Sequence, residues 1–196
     1  MTARQPGQGV RERRVLLAAA RRMFTEHGYA GASVACALRL AGSDGCADWP
    51  YVTDKEDLFV ALWRYHQEAH AAAAAGAVAE ARRAGITDSV ALFDAGTRAF
   101  LLGSYRRRDL ALLFASGDAP RGFEALRRSQ NQEWVGQNRS LLGLPDDSVG
   151  RLRAATLAAI VGGGGYEVAA ATSRRQAADI IDAVAGYARV LTTTPV

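Results

Sequence analysis

The chain has few cysteines, few β-branched residues and no long apolar run. Its two cysteines are Cys36 and Cys46, and their spacing matches no zinc or thioredoxin pattern, so we expect reduced thiols and no disulfide framework. Every apolar stretch is interrupted by a charged residue or a glycine well before the length of a membrane-spanning helix. The polar N-terminal stretch lacks the apolar core of a signal peptide. These absences favour a cytoplasmic protein that does not enter a membrane.

Catalytic and cofactor motifs are also absent. The sequence contains no nucleophile elbow, and the four-glycine run at 162–165 lacks the lysine and hydroxyl residue of a phosphate loop, so close helix packing or a helix bend is the better interpretation. His66 and His70 are four residues apart, but no third ligand is evident, which favours solvent-facing or pocket-edge histidines over a metal site. We therefore expect no enzymatic activity, no metal and no cofactor.

Alanine and leucine dominate the 49% hydrophobic fraction, and no segment alternates apolar and polar residues for long. This composition predicts an all-α protein of about nine helices. In the N-terminal part, apolar residues at helical spacing predict a helix over Val10–His27, with Gly28 as its stop. Ser33 is a good N-cap for a short second helix that Gly42 ends. A third element over 43–52 precedes a long helix to Ala84, for which Thr53 with Glu56, or Asp54 with Asp57, forms a capping box.

Positive charge is concentrated at the start of the chain. Residues 1–32 carry six arginines against two glutamates, although the whole chain has a net charge of +4. An arginine-rich arm followed by an arginine-rich helix can neutralise phosphates and release their counterions. A solvated helix face with a disordered tail explains the same charges without any nucleic acid.

Two short helices around a glycine turn, packed by a preceding amphipathic helix, have the layout of a helix-turn-helix. The run AAARRMFTEHGYAGASV, the pair Ala41–Gly42, the W-x-Y of Trp49 and Tyr51, and the DKEDL that follows are in order and in register over residues 13–58. This pattern resembles the signature of TetR-family transcriptional regulators. The resemblance implies an arm at 1–9, a DNA-binding domain at 10–54, and a helical domain at 55–196 that binds a small-molecule effector and forms a homodimer.

The family's mode of action implies a repressor that an effector releases from a double-stranded DNA operator. Ser33, Tyr51 and Lys55 would contact phosphate, and the start of the third element would contact base edges. With the basic first helix included, the candidate DNA-binding residues are Arg13, Ser33, Asp44, Gly45, Cys46, Trp49, Tyr51 and Lys55.

The third element departs from the family pattern. It reads SDGCADWPYVTD, with three aspartates and no lysine or arginine. Pro50 removes a helical hydrogen bond and disfavours helix for Trp49, at a cost of about 3 kcal/mol. A second hypothesis is therefore a ligand-binding or protein-interaction module that keeps the scaffold and no longer reads DNA.

The rest of the chain carries helix boundaries but no motif. Glycine, proline, aspartate and serine predict helices near 88–105, 108–116, 120–142, 146–172 and 173–192. Leu157, Ile160, Val161, Ile180, Ile181, Val184 and Leu191 of the last two helices suit a four-helix dimer interface. Aromatic residues of the middle helices either fill the core or line an effector pocket that a polar amide helps to orient. The candidate pocket residues are Trp63, Phe93, Phe100, Tyr105, Phe114, Trp134 and Asn138.

Overall fold

The computed structural model describes residues 6–42 and 54–193, and these ranges contain eight α-helices and no strand. The helices are α1 (Pro6–Gly31), α2 (Val34–Leu40), α3 (Lys55–Arg83), α4 (Ser89–Arg106), α5 (Arg108–Ala115), α6 (Phe123–Leu142), α7 (Ser148–Ala170) and α8 (Arg174–Thr193). The all-α prediction is confirmed. The predicted third element at 43–52 lies outside the described residues. Among the described helices, none combines the length and the apolar character that crossing a bilayer requires.

Helix α1 is interrupted at the glycine that the sequence marks as its stop. Gly28 has φ 67° and ψ −179°, a backbone conformation that is essentially restricted to glycine, and one further helical turn follows before Gly31. The predicted end at His27 therefore coincides with a break, and α1 continues to Gly31. The predicted start at Val10 is wrong, because the helix begins at Pro6, within the predicted arm. Ser33 then caps α2, and Gly42 at φ 71° follows its end.

The long helix α3 begins at an aspartate cap, as one of the two predicted capping boxes requires. The backbone N–H of Asp57 donates a hydrogen bond to Oδ1 of Asp54 at 2.8 Å, which satisfies one of the amides left unpaired at a helix start. The helix ends at Arg83, and Gly85 with φ 87° turns the chain away. The predicted span to Ala84 is one residue longer than this.

The described residues form two compact units. The N-terminal unit contains the described part of 1–66 together with residues 113–121, and the C-terminal unit contains 67–112 and the described residues from 122 onward. The core of the N-terminal unit includes fully buried Met23, Phe24, Leu58, Phe59 and Leu62. The sequence predicts a DNA-binding domain up to residue 54 and an effector-binding domain after it. This functional division stays a prediction.

In the C-terminal unit, α4, α7 and α8 surround a core that contains Leu101, Val168 and Val184. Gly164 and Gly165 are buried within the unbroken helix α7, where they allow close approach of neighbouring side chains, as one interpretation of the glycine run predicts. Leu157 and Val184 are 0% and 6% exposed. Their expected place at a dimer surface is therefore wrong, because both side chains are used to fill the core of their own chain.

Candidate nucleic-acid interface

Ser33 lies where the chain enters the short helix α2. Its Oγ accepts a hydrogen bond from the backbone N–H of Cys36 at 3.3 Å, and its own backbone is extended. This is the geometry of an N-cap, and it leaves the exposed hydroxyl at a helix N-terminus, where backbone amides and the helix dipole favour an anion. The predicted phosphate contact by Ser33 is compatible with this position. Cys36, in the same turn, carries a free, partly buried thiol.

Exposed arginines are present on both α1 and α2. Arg13 and Arg14 are exposed on α1, on the part of the helix that precedes the buried residues Leu16 and Leu17. Arg39 is exposed in the last turn of α2. Arg39 is absent from the residues that the sequence motif marks, although a cation at a helix C-terminus is a recognisable pattern. These guanidinium groups can bind phosphate in a bidentate manner.

Lys55, the only lysine of the chain, contacts the end of α1. Its Nζ donates to the carbonyl oxygen of Tyr29 at 2.8 Å and to that of Ala30 at 3.4 Å. The same ammonium lies 4.4 Å from the centroid of the Tyr29 ring, a cation–π contact. An ammonium carries three N–H donors, so a phosphate contact by Lys55 remains compatible with these bonds. The sequence motif does not reveal this internal contact.

Asp118, between α5 and α6, contacts the same turn of α1. Its carboxylate accepts hydrogen bonds from the backbone N–H groups of Tyr29 and Ala30, with the shortest distance 2.7 Å. Burial raises the pKa of the Tyr29 phenol, and the carboxylates of Glu56, Asp54 and Asp118 raise it further, so the phenol stays protonated at neutral pH. Asp118 is 88 residues from Ala30, and no local pattern marks it.

Five candidate DNA-binding residues lie outside the described residues. They are Asp44, Gly45, Cys46, Trp49 and Tyr51. Their assignment to DNA, like that of Arg13, Ser33 and Lys55, stays a prediction.

The candidate pocket residues fall in several places. In the N-terminal unit, Trp63 and Phe114 are buried, at 5% and 7% exposed. In the C-terminal unit, Phe93 belongs to a core cluster with Leu157 and Ala188. These three aromatic side chains fill the interior of their units, which is the alternative that the sequence leaves open.

Other candidate pocket residues in the C-terminal unit are closer together. Phe100 of α4 and Trp134 of α6 are partly buried and meet edge to face, with their ring centroids 5.9 Å apart. Tyr105 is partly buried and lies under the Arg108 guanidinium at 5.7 Å. Asn138, one turn beyond Trp134 on α6, is half-buried. The Phe100–Trp134 pair is thus the one aromatic contact that the described residues form between two candidates of this unit.

A shallow groove runs between α4 and α8 of the C-terminal unit. It is lined by Val90, Phe93, Asp94, Thr97, Ala185, Ala188, Arg189 and Thr192. The groove encloses no cavity of the kind that holds a small-molecule ligand. Beside it, Arg98 of α4 pairs with Asp94 of the same helix at 2.9 Å and with Asp182 at 2.6 Å, and the second ion pair connects α4 to α8.

His66 and His70 are both buried, at 4% and 3% exposed. Of the two positions that the sequence predicts for these histidines, the solvent-facing one is wrong, because α3 turns both imidazoles inward, and the pocket-edge position stays a prediction. In the C-terminal unit, the His70 ring lies 4.5 Å from the Phe100 ring. Burial, followed by the charge of Arg107, lowers the pKa of His70 to about 4, against the opposing effect of a backbone hydrogen bond with Phe100. His70 is therefore neutral at pH 7.

Comparison with known proteins gives structural matches without sequence matches. No family model and no curated protein matches the sequence. A protein described as a TetR-family transcriptional regulator from Syntrophomonas wolfei superposes with a TM-score of 0.77 at 14% identity, covering 96% of this chain and 98% of that one. The fatty acid degradation regulator FadR from Bacillus halodurans gives a TM-score of 0.69 at 14% identity, covering 93% and 99%. A TetR transcriptional regulator from Chloroflexus aurantiacus gives 0.68 at 19% identity, covering 95% and 97%.

These identities are low, but each match includes nearly the whole of both chains. The order and packing of the helices are therefore shared, although few residues are identical. The fold of this chain is the fold of TetR-family transcriptional regulators.

Proposed function

We propose that the protein is a homodimeric, DNA-binding transcriptional regulator that a small-molecule effector releases from its operator. The observation that carries the proposal is the arrangement of α1 and α2 ahead of the predicted third element: the two helices are joined through the Gly28 break and the Ser33 cap, and both carry exposed arginines. This arrangement provides the positioning contacts to phosphate that fix a helix-turn-helix on a duplex. Repression is the mode of action that the resemblance implies.

Homodimer formation is supported by apolar side chains that α7 and α8 leave exposed. Leu152 and Tyr166 of α7 are 67% and 48% exposed, and Tyr187 and Val190 of α8 are 64% and 61% exposed. Along each helix, spacings of 3 or 4 residues, or sums of these spacings, connect these apolar residues and the exposed glycines. They therefore lie on one face of their helix. Large exposed apolar side chains grouped in this way mark interaction surfaces, and a second copy supplies the self-complementary surface.

The exposed glycines support the same interface. Gly162 and Gly163 of α7 and Gly186 of α8 have no atom within 4 Å of the position that a β-carbon would take. A glycine inside a helix costs about 1 kcal/mol relative to alanine, and no contact among the described residues of the chain requires these three. Close approach of a partner helix gives them a use.

The effector site belongs, in this proposal, to the C-terminal unit. Phe100, Trp134 and the neutral His70 form an aromatic cluster, and Asn138 lies one turn from Trp134 on α6. Aromatic walls with a few polar groups are typical of small-molecule sites. Binding there would favour the released state to the extent that the effector prefers it. The chemistry of the cluster fits a mainly apolar effector.

The alternative function is a ligand-binding or protein-interaction module with a degenerate helix-turn-helix. The observation that favours it is the composition of 43–53, which contains Asp44, Asp48 and Pro50 and no cation. Carboxylates in a major groove repel phosphate, although Asp48 facing a cytosine amino group would be an exception.

Selection of duplexes from a random-sequence DNA library by the full chain, at low salt, separates the two functions. The regulator hypothesis predicts enrichment of a pseudo-palindromic site whose half-sites are about 34–36 Å apart, as two helix-turn-helix units of a dimer require. The regulator hypothesis is contradicted if no sequence is enriched and if the protein binds the starting library no more tightly than a reference protein that does not bind DNA. The alternative function would then remain. Low salt is essential because phosphate contacts are strongest there.

A further inference from the structure

The hydrogen bonds from Asp118 hold the point at which α1 breaks. Oδ2 of Asp118 accepts from the backbone N–H of Tyr29 at 2.7 Å, and Oδ1 accepts from that of Ala30 at 3.1 Å. These are the first two residues after the non-helical Gly28. The carboxylate thus performs for the last turn of α1 what an N-cap side chain performs for a helix, although it comes from another part of the chain. We name this set of hydrogen bonds the Asp118 cap.

The backbone carbonyl groups of the same two residues are also hydrogen-bonded. The carbonyl oxygens of Tyr29 and Ala30 accept from Nζ of Lys55, at the start of α3. A carboxylate therefore binds the donors, and an ammonium binds the acceptors, of one short backbone segment. Charged partners make hydrogen bonds stronger than neutral ones. The position of the Tyr29–Ala30 segment is consequently fixed from two directions.

Within the N-terminal unit, residues 113–121 are held in place by their own contacts. Phe114 is 7% exposed and meets the fully buried Phe59 edge to face, with centroids 5.2 Å apart. Oγ of Ser116 accepts from the backbone N–H of Asp118 at 3.2 Å, and the hydroxyl donates to the Leu113 carbonyl. The apolar contact places the segment, and the serine orients the aspartate.

Gly28 and Asp118 are fitted to each other. A β-carbon on Gly28 would lie 2.5 Å from Oδ2 of Asp118, and the positive φ of Gly28 is unfavourable for other residues. Gly28 therefore has two effects here: it breaks α1, and it leaves room for the carboxylate. The sequence motif predicts only the first of these.

We propose that Asp118 is a positioning residue for DNA binding, through which residues 113–121 set the end of α1 and the start of α2. Ser33, the cap of α2, follows Ala30 by three residues, so a displaced Tyr29–Ala30 segment displaces the helix-turn-helix. This inference rests on the proposed function in DNA binding.

The test compares the full-length wild type with Asp118→Ala and Asp118→Asn. Amide hydrogen exchange at Tyr29 and Ala30 reports the cap directly, and affinity for the duplex selected from the random library reports its consequence. We expect Asp118→Ala to speed exchange at both amides, and to weaken DNA binding, by about ten-fold or more, since two charge-assisted hydrogen bonds are removed. Asp118→Asn keeps an oxygen acceptor without the charge, so intermediate values are expected. It also serves as the informative variant if the alanine variant does not fold.

The matched control is Asp88→Ala, which removes one carboxylate-to-amide bond at the start of α4 in the C-terminal unit. Its DNA affinity should stay within about two-fold of wild type, because this N-cap does not contact α1 or α2. Faster exchange at Tyr29 and Ala30 with unchanged DNA affinity would reduce Asp118 to a structural residue and overturn the proposal. Unchanged exchange would overturn it as well.

Failure of the proposed function gives a different result. In that case the wild type itself enriches no duplex, whatever the exchange rates of the Asp118 variants. A double-mutant cycle provides an independent check of the geometry. Gly28→Ala should lower the urea midpoint by more in the wild type than in Asp118→Ala, because the clash is partly with the carboxylate. Equal effects in both backgrounds would contradict the fit between the two residues.

Discussion

Val184 of α8 occupies the space that a β-carbon on Gly164 of α7 would need. That β-carbon would lie 2.5 Å from Cγ2 and 3.2 Å from Cγ1 of Val184, whose side chain is itself buried in the core. Gly165 is similarly placed, with a β-carbon 3.1 Å from the Phe100 ring. The buried half of the glycine run is therefore explained by close packing of α7 against α8 and α4.

Replacing Gly164 by alanine is expected to destabilise the protein by about 1–3 kcal/mol, because the added methyl overpacks the core against Val184. The measurement is the free energy of unfolding from urea titration. Gly76→Ala is the matched control: this glycine lies in the interior of α3, is exposed, and has no atom within 4 Å of a β-carbon. That variant should be stabilised by about 0.5–1 kcal/mol. Loss of stability of similar size in both variants would contradict the packing argument.

The dimer proposed for α7 and α8 predicts a strong effect of charge on the exposed apolar face. Leu152→Glu and Tyr187→Glu together should weaken self-association by about 2 kcal/mol or more, since carboxylates would be buried against apolar side chains. Sedimentation equilibrium measures the dissociation constant. Leu102→Glu, at a 39% exposed leucine of α4, is the control and should leave the dimer intact. A wild type that sediments as a monomer at micromolar concentration would exclude this interface.

His70 predicts a specific dependence of stability on pH. Its pKa is about 4 in the folded protein and 6.5 ordinarily, mainly through burial and then through Arg107. The unfolded chain therefore binds the additional proton between these values, so the contribution of His70 falls as pH drops from 6.5 to 4 and is constant below. The full loss is about 3 kcal/mol.

The measurement for His70 is the free energy of unfolding between about pH 7 and pH 4.5, for the wild type and for His70→Gln. The free energy of unfolding of the glutamine variant should decline less steeply, because the side chain at position 70 can no longer be protonated in that range. His27→Gln is the control at an exposed histidine of α1. Identical slopes for wild type and His70→Gln would show that His70 does not titrate as stated.

The basic face of α1 predicts the salt dependence of DNA binding. Arg13→Ala with Arg14→Ala should weaken binding uniformly across DNA sequences, and should reduce the slope of log K against log salt by about 0.9 for each phosphate that is no longer neutralised. Fluorescence anisotropy at several salt concentrations gives the slope. Arg174→Ala with Arg175→Ala is matched in charge, at an exposed arginine pair of α8. Equal slopes for the two double variants would contradict a phosphate contact by α1.

Much of the helix pattern can be read from local residues. The sequence predicts the last helix over 173–192 and the structure has it at Arg174–Thr193, and the Ser33 cap and the Gly28 break are where the sequence marks them. Caps and breaks depend on groups within a few residues, so a sequence shows them directly. The sequence predicts less well which face of a helix is buried. From the sequence, a solvent-facing position is possible for His70 and an interface position is predicted for Leu157, whereas both side chains are buried within the chain.

The sequence by itself determined the helical class, the approximate bounds of the described helices and the resemblance to TetR-family regulators, because these depend on composition, periodicity and short-range capping. The tertiary structure decided which apolar residues remain exposed on α7 and α8, and which residues far apart in the chain share a hydrogen bond. Asp118 and Tyr29 are 89 residues apart, and periodicity carries no information over that distance. Their contact exists because Phe114 packs on Phe59 and brings the segment of Asp118 to the end of α1.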